Sequence, residues 1–180
     1  MARIGFIGAS GLMGHGIARN LQLKGHTLAL TLHRRRDTVA DLLGAGAREH
    51  ETPAALAADS EFVFVCVTGS PQVEAVVDGP NGLVAGAKPG LVIVDCSTSE
   101  PDSTRRLRER CAAAGVTFVD APLARTPVEA EQGRLNVMVG ADDATFAKIE
   151  PLLRCYAENV FHVGEPGAGH VIKLLSLIHI

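Results

Sequence analysis

Apolar runs without polar interruption alternate along this chain with segments of helical periodicity. Arg3–Ile7 reads as a first strand and Leu12–Lys24 as a helix; Thr27–Leu32 reads as a second strand. Asp37 is the expected cap of a short helix through Leu43, and Ala54–Ala58 is a further helical piece. "FVFVCV", Phe62–Val67, lacks alternation altogether, as expected of a strand covered on both faces. A short helix is expected over Pro71–Val77 and a buried strand over Leu91–Asp95. Ser99 is the expected cap of a charged helix that runs to Ala114 and ends at Gly115. "VTFVDAP", Leu135–Val139 and Ala157–Val163 read as further strands, with a helix over Asp142–Leu153. Such alternation predicts an α/β fold: a Rossmann-type, doubly wound, mostly parallel sheet with helices on both faces. Ligands then bind at the C-terminal ends of the strands.

Composition narrows the picture. Apolar residues make up 47% of the 180 residues, aromatics only 4%, and there is no Trp, so the core is built from Val, Leu, Ile and Ala. A net charge of −3 argues against a nucleic-acid-binding surface. No apolar stretch approaches the ~20 residues that span a bilayer, and no signal peptide is expected at Met1-Ala2-Arg3. The cysteines, at 66, 96, 111 and 155, are widely spaced without a C-x-x-C pair. They read as reduced thiols of a cytoplasmic protein, and no metal site is expected.

The candidate chemistry starts where strand 1 ends, in "GFIGASGLMGHGIARNL". Gly8 allows the sharp turn, Gly11 lets the backbone approach a pyrophosphate, and Gly14 permits close helix–strand packing. Ser10, Leu12 and Met13 complete the turn, whose helix N-terminus faces the phosphates. The spacing is G-x-x-G-x-x-G, one residue longer than the usual dinucleotide fingerprint. About 20 residues further on, an NAD site carries an acidic residue for the ribose 2′-hydroxyl. Here that point holds His33, Arg34 and Arg35, followed by Arg36, with no carboxylate before Asp37. Guanidinium groups suit a 2′-phosphate, so NADP(H) is expected in preference to NAD(H).

With these motifs the chain, from Arg3 to Leu174, resembles the β-hydroxyacid dehydrogenases, the family of 3-hydroxyisobutyrate dehydrogenase and tartronate semialdehyde reductase. The quoted glycine turn is similar to that family's cofactor motif apart from the extra residue at Ala9-Ser10. "DCSTSEP", "DAPLARTPVEAEQGRLNVMVGAD" and "GEPGAGHVIKL" resemble its later motifs in the right order. The resemblance implies hydride transfer between a nicotinamide and a small 3-hydroxy acid or its semialdehyde. It implies that Lys173 is the catalytic acid/base. It places Val67, Thr68 and Thr98 at the cofactor, and Ser97, Leu123, Ala124 and Arg125 at the substrate. The family reads D-A-P-V-S-G-G where this chain reads Asp120-Ala121-Pro122-Leu123-Ala124-Arg125-Thr126, so the Arg125 fork is expected to replace backbone donors for a carboxylate.

The expected division is a dinucleotide-binding domain over 1–164 and the start of an interdomain helix over 165–174. Residues 175–180, "LSLIHI", are expected to be a non-native tail, with an all-helical domain of a homo-oligomeric enzyme lying beyond. A 6-phosphogluconate dehydrogenase relative fits "GAGHVIK" nearly as well, and a stand-alone nucleotide-binding module is the non-enzyme alternative. Imine reductases replace the lysine, so Lys173 counts against them.

Overall fold

The computed structural model describes residues 1–32 and 36–179, with side chains described as far as Leu177. The expected cofactor residues His33, Arg34 and Arg35 therefore lie outside the described residues. Strands β1 (Arg3–Ile7), β2 (Thr27–Thr31), β3 (Arg48–His50), β4 (Phe62–Val65), β5 (Val92–Asp95) and β6 (Thr117–Asp120) are parallel and lie in the order β3-β2-β1-β4-β5-β6. This is the doubly wound arrangement, with its switch of direction between β1 and β4. Beyond β6 come β7 (Leu123–Ala124) and β8 (Leu135–Gly140), joined by antiparallel pairing, and β9 (Ala157–Gly164), which runs parallel to β8.

The central strands have no polar alternation because both faces are covered. Phe6 and Phe64 pack into one apolar layer, where their rings stack at 6.3 Å and Tyr156 meets Phe64 edge-on at 6.0 Å. Their neighbours Ile7 and Val65 pack into the other layer with Ile93 and Leu107. Successive residues of a strand point to opposite faces, so an unbroken apolar run is what two cores require.

The helices are α1 (Leu12–Leu23), α2 (Ala40–Gly44), α3 (Pro53–Ala58), α4 (Ser70–Asp78), α5 (Leu83–Gly86), α6 (Pro101–Ala112), α7 (Pro127–Glu131), α8 (Asp143–Leu153) and α9 (Ala168–His179). Helix α1 ends in a Schellman pair: Gly25, at φ +87°, donates to the Gln22 carbonyl and His26 donates to that of Leu21. Two expected caps are corrected. Glu100 stands at the N-cap of α6 with Pro101 behind it, and the Ser99 hydroxyl donates instead to Asp95 Oδ2 at 2.9 Å. Asp37 opens a single 3-10 turn, Asp37–Val39, before α2, with Arg36 at its cap position. The short elements β3, α5, β7 and α7 were not expected from the periodicity.

Candidate functional site

The glycine turn sits at the switch point, between β1 and α1. Gly8 has φ +94°, and a Cβ there would lie 2.0 Å from the Cys66 carbonyl oxygen on the neighbouring strand exit. A Cβ on Gly14 would lie 2.1 Å from the Gly8 oxygen. Both positions therefore exclude every side chain, and the turn folds tightly against the start of α1. Gly11 stands at the N-cap of helix α1, which has no side-chain cap and no acidic residue in its first turn. Its leading N–H groups have no intrahelical partner, which leaves them for a bound anion. Gly11 and Leu12 are exposed, Ser10 and Met13 half-buried. This end of α1 fits a dinucleotide's pyrophosphate.

Beside the turn lies a largely apolar cavity of ≈ 410 Å³. Gly8, Ser10, Thr31, Leu32 and Val67 line it, together with Glu51 and Gln72. Val67 thus lines the same cavity as the glycine turn. Glu51 and Gln72 were missed, because each lies in a polar loop or helix start without a motif around it.

The exits of β4 and β5 are tied together. The Val67 N–H donates to Ser97 Oγ at 3.0 Å, and Glu100 N–H donates to Ser70 Oγ at 2.8 Å. Ser97 is itself buried, its N–H held by Asp95 Oδ1 at 2.9 Å. Its hydroxyl oxygen therefore shapes the two loops. Thr68 and Thr98 are exposed on the same rim.

Helix α9 is docked here by a second buried carboxylate. Asp120, fully buried at the end of β6, accepts the N–H groups of Gly167 at 2.7 Å and His170 at 3.0 Å. It caps α9 from across the fold, and each charge-assisted bond of this kind contributes about 1.5–3 kcal/mol. The approach requires glycines: a Cβ on Gly169 would lie 2.6 Å from the Met138 oxygen, and one on Gly140 2.7 Å from the Asp120 carboxylate. The buried ring of His170 then spans Thr104 Oγ1, 2.7 Å from Nδ1, and the Ser97 carbonyl, 3.1 Å from Nε2. A carbonyl only accepts, so Nε2 carries a proton, and Asp95 Oδ2 lies 3.7 Å from that nitrogen. Lys173 lies one turn further along the same helix face. It is half-buried, and burial pulls its ammonium below the usual lysine value. Asp95, Asp120 and His170 were not singled out from sequence, although a carboxylate ending an otherwise apolar strand was visible in both "VIVD" and "TFVD".

The expected substrate segment runs along β7. Leu123 is buried in the core and Ala124 half-buried. Arg125 adopts φ +87°, left-handed backbone at a position where the resembling family has glycine. Its guanidinium donates to Glu158 Oε2 at 2.5 Å and to the Arg134 carbonyl. The fork expected to meet a substrate carboxylate is thus engaged by a carboxylate of the chain itself.

Residues 3–164 match a family model described as the NAD binding domain of 6-phosphogluconate dehydrogenase. The chain is 37% identical to a 2-(hydroxymethyl)glutarate dehydrogenase of Eubacterium barkeri over 97% of its length and 57% of that protein's. It is 36% identical to the 2-hydroxy-3-oxopropionate reductase of Escherichia coli K12, over 98% of its length and 59% of that protein's. Among solved structures it is similar to Psf3 in complex with NADP+ and 2-OPP, with 30% identity and a TM-score of 0.89, covering 98% of this chain and 62% of the other. The chain thus spans about three-fifths of the length of these relatives.

Proposed function

Because the chain belongs to the family of NAD binding domains described for 6-phosphogluconate dehydrogenase, we propose that it binds NADP(H) for an oxidoreductase acting on a small 3-hydroxy acid or its semialdehyde. The observation that carries this reading is the glycine cradle at the switch point, with the Lys173 helix docked against the same rim. The relatives named for hydroxy-acid and oxo-acid chemistry support the substrate class. No helix among the described residues is long and apolar enough to cross a membrane, and all four cysteines are free thiols, which supports a cytoplasmic setting. Val171, Ile172, Leu175 and Leu177 expose apolar surface on α9, which supports assembly with a further protein surface, a homo-oligomer among them.

When bound, the nicotinamide supplies or accepts the hydride at C4. The chain's own part is positional and protonic. The first-turn N–H groups of α1 would hold the pyrophosphate, and Val67, Ser97 and the tied exits of β4 and β5 would help position the nicotinamide end. Lys173 gives its proton to the developing alkoxide oxygen in reduction and takes it back in oxidation. Burial makes its ammonium a better acid, which suits that role.

Arg34 and Arg35 support NADP(H), as does the NADP+ complex of Psf3. Glu51 at the cavity favours a second reading, NAD(H), since a carboxylate accepts a ribose hydroxyl and repels a phosphate. Titration with NADPH and NADH by ligand fluorescence decides between them: NADPH binds at least about tenfold tighter if the arginines set the preference, and equal affinities refute it. In the full-length enzyme, Lys173→Ala is expected to leave NADPH affinity unchanged and to lower turnover of a 3-hydroxy acid by about 100-fold or more. Turnover within about tenfold of the parent rejects the acid/base role.

A further inference from the structure

His15 lies one turn into α1, and its two ring nitrogens meet carboxylates from two other helices. Nδ1 is 2.6 Å from Glu131 Oε1 of α7, and Nε2 is 3.0 Å from Asp41 Oδ1 of α2. An ionised carboxylate only accepts, so both bonds form together only when the ring carries both protons. Burial pulls the ring's pKa down, but the hydrogen bonds and charges of Asp41 and Glu131 outweigh it, and the net movement is upward. Asp41 moves the opposite way: burial raises it, and the bond and charge of His15 together with backbone hydrogen bonds from Leu42 and Asp41 more than reverse that. Arg19, on α1 itself, stands 3.9 Å from the other oxygen of Glu131.

The position matters because of what each helix carries. His15 and Glu131 line a cleft of ≈ 420 Å³ together with Ser10, Gly11, Leu12 and Thr38. This is the phosphate end of α1 in the proposed function. Helix α2 follows the segment bearing Arg34, Arg35 and Arg36, and α7 follows the Leu123–Arg125 segment. A neutral ring must surrender one of its two bonds. It then frees either α2 or α7 from α1 and leaves Glu131 without its nearest cation in a cleft that receives phosphates.

We propose that His15 is a positioning residue for the cofactor: as an imidazolium it clasps α2 and α7 to the phosphate-binding turn and cancels the Glu131 charge there, so NADP(H) affinity falls as pH rises through its titration. The proposal rests on the cofactor reading above. Like charges separated by a few ångströms of partly solvated space repel modestly, so the effect is graded.

The test is the NADPH dissociation constant of this chain from about pH 6 to about pH 9, at fixed ionic strength, for the parent and His15→Gln. The 2′-phosphate titrates in both, so the ratio of the two profiles reports His15 alone. The parent is expected to weaken about three- to tenfold more than the variant over that range. By reciprocity, saturating NADPH raises the His15 titration midpoint seen by NMR. Parallel profiles, or a midpoint unmoved by NADPH, overturn the proposal and leave the cofactor reading intact. Absence of NADPH binding at every pH overturns the cofactor reading and this proposal together. Should His15→Gln fail to fold, Asp41→Asn serves: it lowers the pH at which affinity falls if the clasp operates, and an unchanged profile overturns it.

Discussion

Removing the Asp120 carboxylate tests how α9 is held. In Asp120→Asn the shape stays and one oxygen remains to accept one N–H, while the new amide faces the other donor with donors of its own. One charge-assisted bond is lost, worth about 1.5–3 kcal/mol, together with the favourable charge at the N-terminus of α9, worth about 0.3–1 kcal/mol and up to ~2 where partly buried. Relief of the carboxylate's own desolvation offsets part of this. The expected loss is about 2–4 kcal/mol, a large share of a stability of about 5–15 kcal/mol. Repacking cannot recover it, because Gly140 and Gly169 already bring backbone to within contact of the carboxylate. Urea unfolding measures the loss, and hydrogen exchange locates it: the amides of Gly167 and His170 lose protection while those of β1 and β4 follow only the global change. NADPH binding to the folded variant stays near the parent value, since the glycine turn is built from other residues. A loss below about 0.5 kcal/mol with α9 exchange unchanged would refute the capping role.

Two further outcomes follow from backbone geometry. Gly8→Ala places a methyl 2.0 Å from the Cys66 oxygen at φ +94°, so it should abolish NADPH binding and cost about 2 kcal/mol or more in urea unfolding; a variant that binds normally refutes the cradle. At Arg125, Ala removes the ion pair but keeps the left-handed backbone, whereas Gly removes both. Arg125→Gly should therefore be more stable than Arg125→Ala by about 1 kcal/mol, and equal stabilities would mean that φ +87° costs nothing there.

The doubly wound sheet was legible because it rests on local signals that tertiary context only reinforces. "FVFV" and "VIVD" announce strands covered on both faces, and the glycines of the first turn announce a backbone that no side chain can share. The edge strand Arg48-Glu49-His50 gives no such signal: its residues are polar, and only pairing with Ala29–Thr31 makes it a strand. Helix α7 is five residues long and depends on the capping box of Thr126 and Glu129. That box stands in the sequence as T-P-V-E, yet the helix is too short for periodicity to show. The site divides the same way. Gly8 and Gly14 stand within one turn of chain, so their grouping could be foreseen, whereas Val67 was expected beside them only through the family resemblance. The partnership of Asp120 with Gly167 and His170 spans about 50 positions, and Arg125 meets Glu158 across two strands, so neither pairing is written in any local pattern.

Helices α1 and α7 touch more closely than any side chain at Gly16 would permit: a Cβ there would lie 2.4 Å from the Ala130 carbonyl carbon, and Asn20 donates to the carbonyls of both Ala130 and Glu131. The pair is therefore a single unit of exchange. A designer who transplants the Leu123–Thr126 loop of a relative also transplants a lever resting on α1, and a misfit at Ala130 would tilt the helix that follows the glycine turn. The geometry of the loop before α7 and that of the glycine turn before α1 are therefore inherited together, and Gly16, Ala130 and Asn20 are the residues a successful graft has to carry with it.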